Sequence, residues 1–309
     1  MLKHVLKTNK YKNRCTQEEY HEEYQYINLL QDILNDGKLE KGRNGCTLCT
    51  IGSVMQFSLE NNQIPILTTK KTAWKTCLKE LLWFIKGQTS NKILNSQNVH
   101  IWDGNSTKEF MESRNLGHYQ EGDLGPLYGY QWRFFNAQYE NCDSDYSGKG
   151  VDQLQEVIDC LKDPEKNNSR RMVVSAWNPC QIDEGALPPC HVLFQFHVID
   201  NKKLSCSLYQ RSNDEFLGVP FNIASYSFLT HLIAYHCGLE AYEFIHYGGN
   251  CHVYDDHFDQ IKEQISRTPY PFPKLEILNK RDNINDYVID DFKIHDYQHH
   301  PPIKGAMRA

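Results

Sequence analysis

One stretch of the sequence decides the fold class, because it joins a strand, a polar turn and a helix. It reads Tyr209-Gln-Arg-Ser-Asn-Asp-Glu-Phe-Leu-Gly-Val-Pro-Phe-Asn-Ile-Ala-Ser-Tyr226. Alternation before the turn predicts a strand over residues 204–210. The apolar run after it predicts a helix over residues 223–236 that carries Asn222 in its first turn and ends at Cys237-Gly238.

The rest of the chain repeats this mixture of helices and non-adjacent strands. Helical periodicity predicts helices at residues 18–35, 73–86 (with Gly87 as its end) and 151–161, and strand-like runs lie at 46–51, 54–59, 172–177 and 191–199. Residues 104–150 are polar and read as a loop-rich excursion. We therefore expect a flexible basic tail at 1–17 and one domain at 18–309, of α/β (α+β-like) class around a single large sheet.

Composition excludes several broad classes of protein. Apolar residues make up 40% and charged residues 23% of the 309 residues, which argues against a disordered or coiled-coil chain. No apolar run is long enough to span a membrane. A net charge of -6 gives no general polyanion-binding signature, so no specific nucleic-acid binding is expected. The 11 scattered cysteines and the absence of a secretory signal favour reduced thiols and a cytoplasmic location.

A cysteine follows two prolines in Ala186-Leu-Pro-Pro-Cys-His191, just before a predicted strand. The prolines restrict the backbone, so the segment suits a thiol that must be aimed. The same cysteine also suits a small buried core residue, the commonest environment of a free thiol. Arg211 and Ser212 together suit a phosphate, and an arginine near Cys190 would favour its thiolate form.

Four further features have both a functional and a structural interpretation. Asn222 suits an amide-like edge such as that of uracil, or it caps a helix. Glu80 lies among apolar residues that would raise its pKa for proton transfer, or it reaches solvent. Arg170-Arg171 is an anion site or a solvated pair. His252 and Tyr254 share a strand face that suits sugar hydroxyls, or His252 simply satisfies a structural hydrogen bond.

Two cysteine-containing groups could mimic metal sites. Cys46-Thr-Leu-Cys49 has no second pair at zinc spacing, and Cys251, His252 and His257 match no standard pattern. We expect no metal.

Taken together, these residues resemble the thymidylate synthase family from about residue 18 to the C-terminus. The matching motifs are Leu-Leu-Trp-Phe-Ile at 81–85, Ile-Trp-Asp at 101–103, Gly-Asp-Leu-Gly-Pro-Leu-Tyr-Gly-Tyr-Gln-Trp-Arg at 122–133, Ala-Trp-Asn-Pro at 176–179, the Pro-Pro-Cys-His segment, residues 210–226, and His-Val-Tyr at 252–254. The resemblance implies reductive methylation of dUMP to dTMP with 5,10-methylenetetrahydrofolate. It also implies a large mixed sheet flanked by helices, and a homodimer formed by sheet-to-sheet packing.

The resemblance assigns a role to individual residues. The catalytic set it implies comprises Cys190 as nucleophile, Glu80, Tyr128, Asn222, Asp214 and Arg211. The dUMP set comprises Arg43, His191, Gln210, Arg211, Ser212, Asn222, His252, Tyr254, and Arg170 and Arg171 donated by a partner subunit. The folate set comprises Ile101, Trp102, Asn105, Asp214, Leu217, Phe221 and Ala309.

The chain departs from the family pattern at three places, and two rival hypotheses stay open. The loop at Arg43 is one residue short, Asn250 replaces an aspartate, and the chain ends Met-Arg-Ala instead of Met-Ala-Val. A nucleotide hydroxymethylase would trap the one-carbon unit with water. Its cytosine-specific form carries aspartate where this chain has Asn222, whereas a uridylate hydroxymethylase would keep the asparagine. A folded dimer that binds nucleotide or RNA without turnover is the non-enzymatic alternative.

Overall fold

The structure is a computed structural model that describes residues 21–42 and 45–307. The predicted tail at 1–17, the start of the first predicted helix, Arg43 and Ala309 lie outside these residues. Within them the helices are α1 (Tyr24–Asp36), α2 (Trp74–Ile85), α3 (Asn91–Ser96), α4 (Lys108–Ser113), α5 (Gly129–Phe134), α6 (Gln153–Lys162), α7 (Gly218–Cys237) and α8 (Phe258–Ile265). The strands are β1 (Lys38–Gly42), β2 (Gly45–Ser58), β3 (Val173–Ser175), β4 (His191–Ile199), β5 (Lys203–Asp214), β6 (Glu240–Tyr254), β7 (Lys274–Ile277) and β8 (Phe292–His295).

A mixed sheet of six strands, in the order β1-β2-β6-β5-β4-β3, organises the domain. Its neighbours run antiparallel except for β5 and β6, which are parallel. Strands β7 and β8 form a separate pair. The predicted fold class is therefore confirmed: a single mixed domain with one large sheet and flanking helices.

The register of the sheet separates a buried face from an exposed one, because successive side chains of a strand point to opposite sides. One row of paired residues across β2, β6, β5, β4 and β3 is fully buried: Met55, His246, Leu208, Phe194 and Val174. The neighbouring row faces outward: Val54, Tyr247, Tyr209, Leu193 and Ser175. Three of these side chains, at Val54, Tyr209 and Tyr247, are at least 40% exposed.

Helix α7 covers the buried face and contacts both β5 and β6. It is apolar nearly all round, as expected for a helix enclosed by the core. It ends as predicted at Gly238, whose left-handed φ of 75° suits glycine. The sequence predicted its start at residue 223, which is too late, since α7 begins at Gly218. Pro220 does not prevent this earlier start, because it lies in the first turn, where a missing N–H costs no helical hydrogen bond.

Several other predicted boundaries were wrong. The runs predicted at 46–51 and 54–59 form one strand, β2, which continues through Gly52 at φ 83° and ends at Ser58. The strand predicted at 172–177 shortens to β3, and the loop-rich excursion contains the short helices α4 and α5. The strand predicted at 191–199 is confirmed as β4. None of the helices in residues 21–42 and 45–307 combines the length and apolarity needed to cross a membrane.

Candidate active site

The sheet register gathers the predicted site at one edge. Strand β4 begins there and the parallel strands β5 and β6 end there, with His191 paired to Gln210 and Asp214 paired to His252. These strand ends open into a cavity of about 540 Å³. Most of the predicted residues line it: Glu80, Ile101, Trp102, Asn105, Tyr128, Cys190, His191, Gln210, Arg211, Ser212, Asp214, Asn222, His252 and Tyr254.

Cys190 is held by its backbone and by an arginine. Its N–H donates to the Tyr128 hydroxyl at 2.9 Å, and its carbonyl accepts from the Arg211 backbone N–H at 2.9 Å. The Arg211 guanidinium donates to the carbonyls of Pro188 and Pro189, both at 2.9 Å, and its Nη2 lies 4.0 Å from Cys190 Sγ. The thiol is half-buried and faces the cavity, so the core interpretation of Cys190 is wrong.

The electrostatic balance at the Cys190 thiol differs from the expectation. Burial raises its pKa above the usual value, and this outweighs the opposing effects of the Arg211 charge and of hydrogen bonds with Tyr128 and Ser212. Arg211 thus acts in the predicted direction without making the thiolate the favoured form. Ionisation of the thiol therefore depends on the groups around it.

A buried chain of hydrogen bonds orients Asn222. Gln210 donates from Nε2 to Asn222 Oδ1 at 3.0 Å, and its own Oε1 lies 3.1 Å from His246 Nε2. His191 also contacts Asn222, and burial lowers the pKa of His191 to about 4, so its imidazole is neutral near pH 7. Asn222 lies in the second turn of α7, so both its predicted place in the first turn and the helix-cap interpretation are wrong.

Glu80 faces the cavity from α2 instead of reaching bulk solvent. Burial raises its pKa from 4.5 to about 7, against the opposing effect of the Trp102 indole, whose Nε1 donates to Glu80 Oε1 at 2.7 Å. The predicted upward shift of this pKa is confirmed. A carboxyl with a pKa near 7 can both accept and release a proton at neutral pH.

The polar ends of β5 and β6 complete one wall of the cavity. The rings of His252 and Tyr254 lie 5.5 Å apart, and Asn250 Oδ1 is 3.0 Å from His252 Nδ1. The asparagine that departs from the family pattern therefore still contacts this histidine. Asp214 accepts from the backbone N–H groups of Phe216 and Leu217 through Oδ1.

Four predicted residues of the described chain do not line the cavity. Arg170 and Arg171 are exposed in the turn before β3. Leu217 and Phe221 are half-buried at the start of α7, beside Gly218, which does line the cavity.

Further cavity-lining residues were not assigned from the sequence: Phe84, Arg114, Leu187, Pro188 and Gly218. Phe84, Leu187 and Pro188 belong to motifs already quoted, whereas no pattern marked Arg114. Among the described residues no cluster of three or more His, Cys, Asp or Glu side chains could hold a metal ion.

Comparisons with known proteins agree with this geometry. The family model for thymidylate synthase matches residues 24–309. Human thymidylate synthase is 50% identical over 288 residues, which is 93% of this chain and 91% of the human protein. The bifunctional dihydrofolate reductase-thymidylate synthases of Zea mays and Plasmodium berghei are 49% and 48% identical, over 93% and 99% of this chain. The chain spans only about half the length of these two relatives, 54% and 50%. By the extent of these matches, the chain belongs to the thymidylate synthase family.

Proposed function

We propose that this protein is a methyltransferase that converts dUMP to dTMP, with 5,10-methylenetetrahydrofolate as the donor of carbon and hydride and dihydrofolate as the second product. The observation that carries the proposal is the single cavity shared by the Cys190 thiol, the Arg211 guanidinium, the Asn222 amide and the Glu80 carboxyl. Uracil C5 is a poor nucleophile, and this combination of groups can activate it.

Cys190 begins the reaction. Its thiolate adds to C6 of uracil, the C5=C6 electron pair moves towards O4, and C5 gains nucleophilic character. The positive charge of Arg211 and the hydrogen bonds with Tyr128 and Ser212 favour the thiolate. Asn222, fixed by Gln210, reads the pyrimidine edge and favours the charge that develops on the ring.

Glu80 and Tyr128 handle the protons. The folate supplies the one-carbon unit and then a hydride, and its binding brings both next to C5. Glu80 transfers protons at the folate nitrogen and at uracil O4, with Trp102 holding its carboxyl in place. Tyr128 takes part in removing the C5 proton. Loss of this proton eliminates tetrahydrofolate, which breaks its bond to the one-carbon unit and leaves an exocyclic methylene at C5. A hydride from tetrahydrofolate then reduces that methylene to the methyl group, which gives dihydrofolate, and the sulfur leaves C6 as the thiolate to release dTMP.

Binding follows the two walls of the cavity. On the nucleotide side, Arg211 and Ser212 bind the phosphate together with Arg43, His252 and Tyr254 bind the sugar hydroxyl, and His191 and Gln210 support Asn222. On the folate side, Ile101 and Trp102 stack against the pterin, and Asp214 accepts a hydrogen bond from it. The remaining members of the proposed folate site are Asn105, Leu217, Phe221 and Ala309.

We place the protein in the cytoplasm as a homodimer, and the outward face of the sheet supports the dimer. The apolar side chains of Val54, Tyr209 and Tyr247 stand in one row on this face and suit burial against a second copy. Arg170 and Arg171 are exposed and outside the cavity of their own chain, as side chains that reach the partner's phosphate site would be.

A covalent-trapping experiment tests the proposal. Incubation with 5-fluoro-dUMP and methylenetetrahydrofolate is expected to stall as an adduct of protein, nucleotide and folate, because fluorine at C5 cannot leave as a proton. Intact-mass analysis should find this adduct on the native chain and none on Cys190→Ser. With dUMP, equal amounts of dTMP and dihydrofolate are expected. Detection of a hydroxymethylated nucleotide as the product would show that the proposed reaction is wrong. Nucleotide binding without adduct or product would refute catalysis.

A further inference from the structure

Arg114 is a second cation in the cavity, and the proposed reaction gives it no role. It follows α4 directly, and its side chain lines the cavity together with Ile101, Trp102 and Asn105. Among residues 21–42 and 45–307, Arg114 and Arg211 are the only arginine or lysine residues that line the cavity. Arg211 already donates to the two proline carbonyls beside Cys190.

The guanidinium of Arg114 has an unused donor. Its Nε is buried and has no hydrogen-bond partner among the described residues. Other partly buried arginines of this chain are paired: Arg133 donates to Asp152 at 2.8 Å, and Arg281 to Asp291 at 2.7 Å. A buried donor without an acceptor costs free energy, so the position of Arg114 is explained if an acceptor binds there.

A second unused donor lies on the same wall. Asn105 Nδ2 is buried and likewise lacks a partner within the described chain. The hydrogen bond from Trp102 Nε1 to Glu80 ties this wall to the reaction centre, and the Asn105 backbone N–H donates to the Trp102 carbonyl at 3.1 Å. The cavity lining therefore includes two residues, one of them charged, that each hold a buried N–H donor without a partner.

We propose that Arg114 and Asn105 form a donor pair that binds an acceptor oxygen of the folate co-substrate. This inference rests on the proposed function and deepens it. Folates offer two kinds of acceptor, the pterin carbonyl and the carboxylates of the glutamate, and guanidinium and amide N–H donors can bind either. Arg114 acts as a binding residue that affects folate affinity and not the reacting atoms.

Direct binding measurements test this role independently of turnover. Titration calorimetry would give the Kd of tetrahydrofolate for the protein saturated with dUMP. Arg114→Met keeps much of the side-chain length and removes the charge, and it should weaken binding about tenfold, as expected for the loss of a charge-assisted hydrogen bond. Arg114→Lys should recover part of the affinity, and Asn105→Ala should weaken binding by a smaller factor.

A matched control and a truncated ligand complete the design. Lys75→Met removes an exposed cation of α2 outside the cavity and should leave the Kd unchanged. If the acceptor is a glutamate carboxylate, Arg114→Met should have no effect on binding of tetrahydropteroate, which lacks the glutamate. If it is the pterin carbonyl, both ligands should weaken alike.

Unchanged affinity for both ligands, in an Arg114→Met protein that melts like the native one, would overturn the inference. Failure of the proposed function would look different, because the native protein would then form no dTMP whatever the variants bind. In turnover assays the inference requires a raised KM for the folate, with kcat and the KM for dUMP changed less than about twofold.

Discussion

Replacement of Glu80 by glutamine should change the pH dependence of stability in a defined direction. The carboxyl of Glu80 faces the cavity, and burial raises its pKa from 4.5 to about 7. Ionised Glu80 is well hydrated in the unfolded chain and poorly hydrated in the native one. The native protein is therefore expected to lose stability as the pH rises from about 4.5 through about 7.

The size of this loss follows from the pKa. A change from 4.5 to about 7 corresponds to about 3 kcal/mol, since each pKa unit is worth about 1.4 kcal/mol. Water in the cavity screens the carboxylate, so we expect about 2 kcal/mol. Glutamine has nearly the same shape and does not ionise. Relative to the native chain, Glu80→Gln should therefore gain about 2 kcal/mol in free energy of unfolding between about pH 4.5 and about pH 8.5.

Urea unfolding of both proteins across this pH range measures the difference directly. Other buried carboxyls titrate too, such as Glu215, whose pKa burial raises to about 8, but they contribute equally to both proteins. Glu112→Gln, at an exposed position of α4, is the matched control and should show no such difference. A free-energy difference between Glu80→Gln and the native chain that stays constant with pH would refute the reasoning. The same variant should lower kcat by roughly a hundredfold or more.

Three other substitutions test separate parts of the structure. Asn222→Asp should shift the ratio of kcat/KM values from dUMP towards dCMP, because a carboxyl group binds a different pyrimidine edge from an amide. Steady-state kinetics with both nucleotides measure this ratio, and an unchanged ratio would contradict the prediction. Tyr209→Glu should produce monomers in light scattering, since it places a charge in the middle of the proposed interface, and a persistent dimer would count against that surface. Gly129→Ala should destabilise the protein by about 2 kcal/mol or more in urea unfolding, because the new Cβ would lie 2.3 Å from the Phe84 carbonyl oxygen; an unchanged midpoint would show that the backbone relaxes freely.

The sequence predicted the elements whose periodicity is clear. Strand β4 and the C-terminal end of α7 lie where alternation and Gly238 indicated. The sequence misplaced the ends of helices and strands where a proline or glycine, which usually interrupts them, lies at a position that accepts it. Pro220 lies inside the first turn of α7, and Gly52 lies within β2 between Ile51 and Ser53, which both pair with β6.

The sequence predicted some residues of the candidate site and missed others. Residues within long motifs, such as Cys190 and Asn222, were identified through the family resemblance and do line the cavity. Arg114 could not be identified, because its place in the cavity lining depends on tertiary structure and has no local sequence signal. The net raised pKa of Cys190 was also unpredictable, since it reflects a balance between burial and the Arg211 charge.

The pairing of β4, β5 and β6 limits which sequence changes the site can accept during evolution. Cys190, Arg211 and His252 are borne on or next to three adjacent strands whose hydrogen bonds fix their relative spacing. A deletion of one residue within β5 would turn its side chains to the opposite face and break the alignment of all three groups at once. Variation in length is therefore expected to accumulate in the surrounding loops, while these strands tolerate only substitution.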